Sequence, residues 1–266
     1  MGFVPTMGAL HEGHLSLVRA ANRENDVTVV SLFVNPTQFG PKEDLAKYPR
    51  PIREDLAFCH AAKVDFVLTP SVGAMYPEGL TRPLKIQGAK WPRLAKGLCG
   101  KFRPGHFQGV ITVVRKLLNR VGPCRLYLGA KDFQQAAVIH QLVRDLDLDV
   151  RVRVMATVRE KDGLAMSSRN RSLSPAERHQ ALAISRALFA FKRDLLQKKM
   201  GVAGARARAL RELKKGVDRV QYLEVVDPGT LAPVKKRQKK MVVVTACFVG
   251  KTRLIDNVII QNSGKR

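Results

Sequence analysis

The 266 residues are 45% apolar, enough for one large domain or two of ordinary size, and no apolar run reaches the roughly eighteen residues of a membrane span. Lys and Arg number 47 against 22 Asp and Glu, and a net charge of +25 suits polyanions such as nucleotides, nucleic acid or acidic membranes without choosing among them. Cys59, Cys99, Cys124 and Cys247 are widely spaced with no Cys-x-x-Cys pair, which argues against a zinc site or a disulfide framework; with no secretory signal pattern, a reducing cytoplasm is the expected location.

The first predicted element is a short strand, Phe3-Val4-Pro5. It leads through Thr6-Met7-Gly8-Ala9-Leu10 and His11-Glu12-Gly13-His14 into a helix over residues 15–21. Residues 27–34 are nearly all apolar and β-branched, as a strand buried on both faces should be. Residues 65–70 read as a strand closed by Pro70, 110–121 as a helix, 126–128 as a short strand, 133–146 as a helix and 150–158 as a strand. Strands alternating with helical segments of this length imply βαβ units and a parallel sheet. The character then changes. Ser174-Pro175-Ala176-Glu177 is a capping-box signature for a long helix. A Gly/Ala/Arg-rich helix follows, then strands over 220–226, 241–249 and 252–260, with the basic run 235–240 in a loop between the first two. The expected fold is α/β: a Rossmann-like parallel sheet with helices on both faces over residues 1–157, and a smaller C-terminal α+β domain over 158–266.

In open parallel sheets, ligands bind beyond the carboxyl ends of the strands. Four polar motifs here follow predicted strands: residues 6–14, residues 35–39, residues 129–135 and residues 159–170. On one sheet edge they would converge on one cleft. His11 and His14, three apart, share a face near a helix start, where N–H groups and the helix dipole favour an anion. They read either as neutral donors to a polyphosphate or as two surface histidines in a polar turn. Met166-Ser167-Ser168-Arg169 can wrap outer phosphates, or can be a loop with an ordinary surface arginine. Lys131 can meet a phosphate while Asp132 caps the next helix. Gln38 and Gln135 carry amides suited to a carboxylate and hydroxyls, or lie on the surface. Residues 100–106, with Arg103-Pro104-Gly105-His106, form a basic turn that contacts an acidic substrate or only caps a loop.

Taken together, these segments resemble the pantothenate synthetase (pantoate–β-alanine ligase) family, within the nucleotidyltransferases of the class I tRNA-synthetase type. The resemblance rests on residues 5–14, on Phe33-Val34-Asn35-Pro36-Thr37-Gln38-Phe39, on Tyr48-Pro49-Arg50 and on Arg103-Pro104-Gly105-His106-Phe107. It continues through Lys131-Asp132-Phe133-Gln134-Gln135, residues 162–170, Tyr222-Leu223-Glu224 and residues 252–257. Nearly the whole chain is covered, in family order.

The resemblance implies a cytoplasmic ligase of pantothenate and coenzyme A biosynthesis, usually a homodimer, that condenses pantoate with β-alanine. ATP is the co-substrate, with Mg2+ bound mainly through its phosphates and no metal site of the protein's own. Pantoate would attack ATP to give pantoyl adenylate and pyrophosphate, and β-alanine would then displace AMP. By motif matching, Met7, Gly8, Ala9, Leu10, His11, Glu12, Gly13 and His14 lie along ATP. So do Gly129, Ala130, Lys131, Asp132, Val158, Met166, Ser167, Ser168 and Arg169. His14, His11, Lys131 and Arg169 take the catalytic roles, and Gln38, Gln135 and Arg103 the substrate-binding ones. Members of the family usually carry a leading strand and helix ahead of the Pro-Thr-Met-Gly segment, whose place is taken here by Met1. Cys124 and Ala130 stand where acidic or polar residues are common, and the positive charge is high for the family. The rival readings are another nucleotidyltransferase of the superfamily and, from the charge alone, a nucleic-acid-binding protein on the same scaffold.

Overall fold

A computed structural model describes residues 1–41, 43–80 and 84–261. The chain divides into two compact units, Met1–Thr157 and Val158–Arg266. In the first unit, β1 (Gly2–Thr6), α1 (Glu12–Glu24), β2 (Thr28–Leu32), α2 (Ile52–Ala61) and β3 (Phe66–Leu68) build one half. Three short helices follow: α3 (Val72–Met75), α4 (Trp91–Ala95) and α5 (Cys99–Phe102). Then come α6 (His106–Val121), β4 (Cys124–Gly129), α7 (Phe133–Asp145) and β5 (Val150–Met155).

The five strands lie in the order β3-β2-β1-β4-β5 and every pairing is parallel, with Phe3 opposite Val29 on one side and Leu126 on the other. Adjacent residues of one strand point to opposite faces, and each face has its own core. Phe3, Val29, Leu126 and Leu128 pack with Val110, Ile111 and Val114 of α6 and Val138, Ile139 and Leu142 of α7. Val4, Val30, Leu32 and Tyr127 pack with Leu17, Val18 and Ala21 of α1 and Cys59 of α2. This is the expected doubly covered parallel sheet. The chain reverses direction across it between β1 and β4, so the crevice beyond their carboxyl ends is where a ligand belongs.

The second unit holds α8 (Pro175–Leu196), α9 (Val202–Gly216) and an antiparallel sheet of β6 (Arg219–Val226), β7 (Lys240–Val249) and β8 (Thr252–Gln261), in that order. Ser174 Oγ accepts the Glu177 N–H at 3.2 Å and Glu177 Oε2 accepts the Ser174 N–H at 2.8 Å, the capping box its sequence indicates. Leu182, Leu188, Phe191 and Leu195 of α8 meet Val243, Cys247 and Ile260 of the sheet in its core. The basic run 235–240 lies mainly in the connection between β6 and β7.

Three expectations need correction. The strand read over 150–158 stops at Met155, and residues from Val158 onward belong to the second unit. The stretch read as a basic turn over 100–106 contains most of α5 and the first residue of α6, joined at Gly105 with φ +80°. Helix α2 falls where the sequence reading places no element, because it buries Asp55 and Cys59 while Ile52 and Leu56 face solvent, so it lacks an apolar stripe. Among the described residues no helix is long and apolar enough to cross a membrane.

Candidate active site

The loop after β1 is pinned from below. Thr6 Oγ1 donates to the Ser31 carbonyl at 2.8 Å and accepts the Gly8 N–H at 3.1 Å, tying the strand end to β2. Gly8 and Ala9 then turn in the left-handed region, φ +77° and +50°. Ala9 has a Cβ and adopts that conformation at a cost. What holds it is Asp55 of α2, whose buried carboxylate accepts the Ala9 N–H at 2.8 Å and the Leu10 N–H at 2.7 Å. A side chain at residue 8 would strike Asp55, since a Cβ there would lie 2.8 Å from Oδ2.

His11 caps α1, and its Nδ1 accepts the Gly13 N–H at 3.1 Å, which puts the ring proton on Nε2. One turn on, the His14 ring lies against it with centroids 4.0 Å apart. His14 is half-buried, but its Nδ1 is closed off from solvent and has no hydrogen-bond partner among the described residues. Burial holds the His14 pKa well below the usual histidine value, and electrostatic interaction with His11 and with Lys131 pushes the same way. The site therefore presents a neutral imidazole beside a lysine.

The loop after β2 is built around Asn35. Its Oδ1 accepts from Tyr76 Oη at 2.6 Å and from Thr37 Oγ1 at 3.0 Å; its Nδ2 donates to Gln38 Oε1 and to the Gly109 carbonyl, both at 3.2 Å. Gln38 is buried, and its amide nitrogen lies 2.7 Å from Met7 Sδ, which joins the β1 and β2 loops. Arg103 forms a fork with Glu43, Nε to Oε1 and Nη2 to Oε2, each 2.6 Å. Burial raises the Glu43 pKa, but Arg103, together with the Gly40 backbone and His106, brings it below the usual carboxylate range.

The last residue of β4, Gly129, is followed by a tight turn, Ala130–Asp132, leading into α7. Asp132 does not cap that helix as expected. The backbone is already helical in the turn before it, so its carboxylate makes no bond to the helix N–H groups and lies 3.7 Å from Lys131 Nζ. Gln134 is buried and structural: it accepts from the Cys99 N–H at 2.9 Å and donates to the carbonyls of Leu94 and Gly97. Gln135 is only half-buried, at the first turn of α7.

The fourth predicted group lies in the second unit. Val158 and Met166 are neighbours there, through the Met166 N–H on the Val158 carbonyl at 3.1 Å. Ser167 Oγ accepts the Arg169 N–H at 3.3 Å and starts the turn Ser168–Ser172. Behind this loop Arg159 pairs through both Nη atoms with the buried Asp256, at 2.8 and 2.9 Å, and Arg178 pairs with Glu160 and Asp162.

In the first unit, then, the structure brings Met7 to Gln38, His14 to His11 and within electrostatic reach of Lys131, and Arg103 to the Gln38 backbone. Sequence reasoning missed Asp55 and Glu43. Neither carries a local signal: one acts on a loop 45 residues away and the other on an arginine 60 residues away. It left His106 as a loop feature, although the residue stands inside the quoted Arg-Pro-Gly-His segment.

Comparison with known proteins bears on the whole chain. The family profile described as pantoate-beta-alanine ligase matches residues 1–259. Pantothenate synthetase 1 of Bradyrhizobium diazoefficiens is 52% identical over 264 residues, covering 98% of this chain and 90% of that protein. The crystal structure of pantothenate synthetase from Thermus thermophilus superposes with a TM-score of 0.91 at 44% identity, over 97% of this chain and 92% of that one. Pantoate-beta-alanine ligase from Francisella tularensis, solved in complex with beta-gamma ATP and beta-alanine, gives 0.78 at 37% identity, over 97% and 88%.

Proposed function

The chain belongs to the pantoate-β-alanine ligase family, and from that premise we propose that it condenses pantoate with β-alanine while ATP is cleaved to AMP and pyrophosphate. The observation that carries this reading is the neutral His14, stacked on His11 and facing the charge of Lys131 at the carboxyl edge of the parallel sheet. That edge offers donors to a polyphosphate without opposing carboxylates in the His11–His14 pair itself. The Francisella relative, by its bound molecules, supports ATP and β-alanine as partners.

In the first step a pantoate carboxylate oxygen attacks the α-phosphorus of ATP and the bond to pyrophosphate breaks. Charge grows on the phosphoryl oxygens and the leaving group, where positioned donors and cations act most strongly. We assign that work to His14, His11 and Lys131, and to Arg169 of the second unit by its match to the family motif. Met7 to His14, Gly129 to Asp132, Val158 and Met166 to Arg169 line ATP in this reading. Ala9 and Leu10 do so through atoms other than their N–H groups, which Asp55 holds. Gln38 and Gln135 take pantoate. In the second step the β-alanine nitrogen attacks the acyl carbon, AMP leaves with the bonding pair and the amine releases a proton.

Among the described residues no three His, Cys, Asp or Glu side chains gather to hold a metal ion. On the family resemblance we take Mg2+ to be held chiefly by the phosphate oxygens of ATP, where it would neutralise charge on the nucleotide. We also take the protein to be a homodimer and cytoplasmic, on the family resemblance. The decisive experiment measures AMP release from ATP with pantoate and β-alanine each omitted in turn. AMP should form only with both present, and exchange of labelled pyrophosphate into ATP should need pantoate alone. AMP release that is indifferent to pantoate would overturn the reading.

A further inference from the structure

We infer that Arg103 and His106 are positioning residues that fix Gln38 for its acid substrate, and that Arg103 is not itself a substrate ligand. The inference rests on the reading of Gln38 as a pantoate residue. Two donors converge on one atom, the Gln38 carbonyl oxygen: His106 Nδ1 at 2.8 Å and Arg103 Nη2 at 3.3 Å. A carbonyl oxygen can only accept, so His106 carries its proton on Nδ1. Its Nε2 is then an acceptor, and Arg103 Nη1 donates to it at 3.0 Å. Every contact in the cluster is satisfied by one tautomer of a neutral imidazole. Glu43 takes the Nε N–H and one N–H of Nη2. Four of the five N–H groups of Arg103 thus have named partners around a mostly buried group, and a carboxylate gripped by two of its N–H groups would have to displace one of those partners.

The helix that carries His106 is brought close for the same purpose. A Cβ built on Gly109 of α6 would lie 2.3 Å from the Thr37 carbonyl oxygen and 2.7 Å from the Gln38 nitrogen, so only glycine lets the helix meet the turn Pro36–Gln38 at this distance. Arg103, His106 and Gly109 all bear on the same two residues, and the Gln38 side chain is oriented separately by Asn35 and Met7. Burial, and Arg103 after it, hold the His106 pKa at about 4, which keeps the ring neutral, as the geometry needs.

The test compares His106→Ala with His106→Asn in the full chain. The Asn amide can place a donor near the position of Nδ1, whereas Ala removes it. His106→Ala should raise the KM for pantoate about tenfold, the scale of one lost buried hydrogen bond, with the KM for ATP within about twofold of wild type. His106→Asn should restore most of the loss, and on a Gln38→Ala background His106→Ala should add nothing further. Should His106→Ala not fold, Arg103→Lys carries the same test, since lysine cannot span Glu43, His106 and the Gln38 carbonyl together. A folded His106→Ala enzyme with unchanged pantoate KM, or one whose ATP KM rises in step, overturns the inference alone. A wild-type chain without pantoate-dependent AMP release overturns the reaction and the inference together.

Discussion

In the proposed reaction His14 would handle charge without carrying it. A cation fixed at that position would hold the product pyrophosphate as firmly as the transition state, whereas a neutral donor strengthens its bond as charge develops. Replacing His14 with Ala should lower kcat at least about 10²-fold, the scale for one well-placed donor. Single-turnover measurement of pantoyl adenylate formation checks this, and near-normal adenylate formation would remove His14 from the chemistry. His106 gives a second prediction, in stability. Its pKa is about 4 in the fold against 6.5 for an ordinary histidine. Between those values the unfolded chain binds a proton that the folded chain does not, so stability falls as pH drops through 6.5 and the loss levels off below about 4, reaching about 3 kcal/mol in full. Burial lowers this pKa most and Arg103 lowers it further, while the Gln38 carbonyl, Glu43 and Asp132 raise it. His14 titrates in the same direction, so the informative quantity is the difference from His106→Asn. That variant should show a flatter decline of Tm with acidification; an unchanged slope would mean His106 contributes nothing to it.

At the scale of elements, helix α2 acts as a support for a loop it is remote from in sequence. Asp55→Ala would leave the Ala9 and Leu10 N–H groups buried without partners, at a cost of at least about 2 kcal/mol, and would release the left-handed turn at Gly8 and Ala9. Its Tm should fall and its KM for ATP should rise, with Asp55→Asn less affected because one carbonyl acceptor remains. Thermal melts and ATP titrations check both, and an unchanged ATP KM would show that the loop holds its shape unaided. The same helix marks where sequence reading stopped. Strands β1, β2 and β4 were legible because both faces are largely buried and most of their residues are apolar. Helix α8 was legible because its capping box is local. The His11–His14 pair, Gln38 and Lys131 were visible because each sits just past a strand end. Asp55 and Glu43 were not, because a carboxylate that serves backbone or side-chain donors far along the chain leaves no periodicity or spacing behind. The assignment of Asp132 as a cap failed for the opposite reason: the local rule was present, and an extra helical turn ahead of α7 overrode it.

For the whole molecule, the positive charge is unevenly shared. Residues 158–266 hold 25 Lys and Arg against 9 Asp and Glu, so self-repulsion is concentrated in the second unit. Ionic strength of about 0.15 M cuts the screening length to about 8 Å from about 30 Å at 0.01 M. Tm should therefore rise with added salt over that range, as repulsion among like charges is damped. Differential scanning calorimetry in a salt series checks it; a Tm that falls with salt would show that attractive pairs such as Arg159–Asp256 and Arg208–Asp194 outweigh the repulsion.

Because the carboxylate of residue 55 holds the turn at residues 9 and 10, the proposed nucleotide loop has its shape fixed by the protein alone. A mutational library confined to the histidine motif, the glutamines and the serine–arginine loop would leave its underpinning untouched. If the proposed site holds, breeding altered nucleotide preference into this scaffold should start one layer down, on the helix behind the loop.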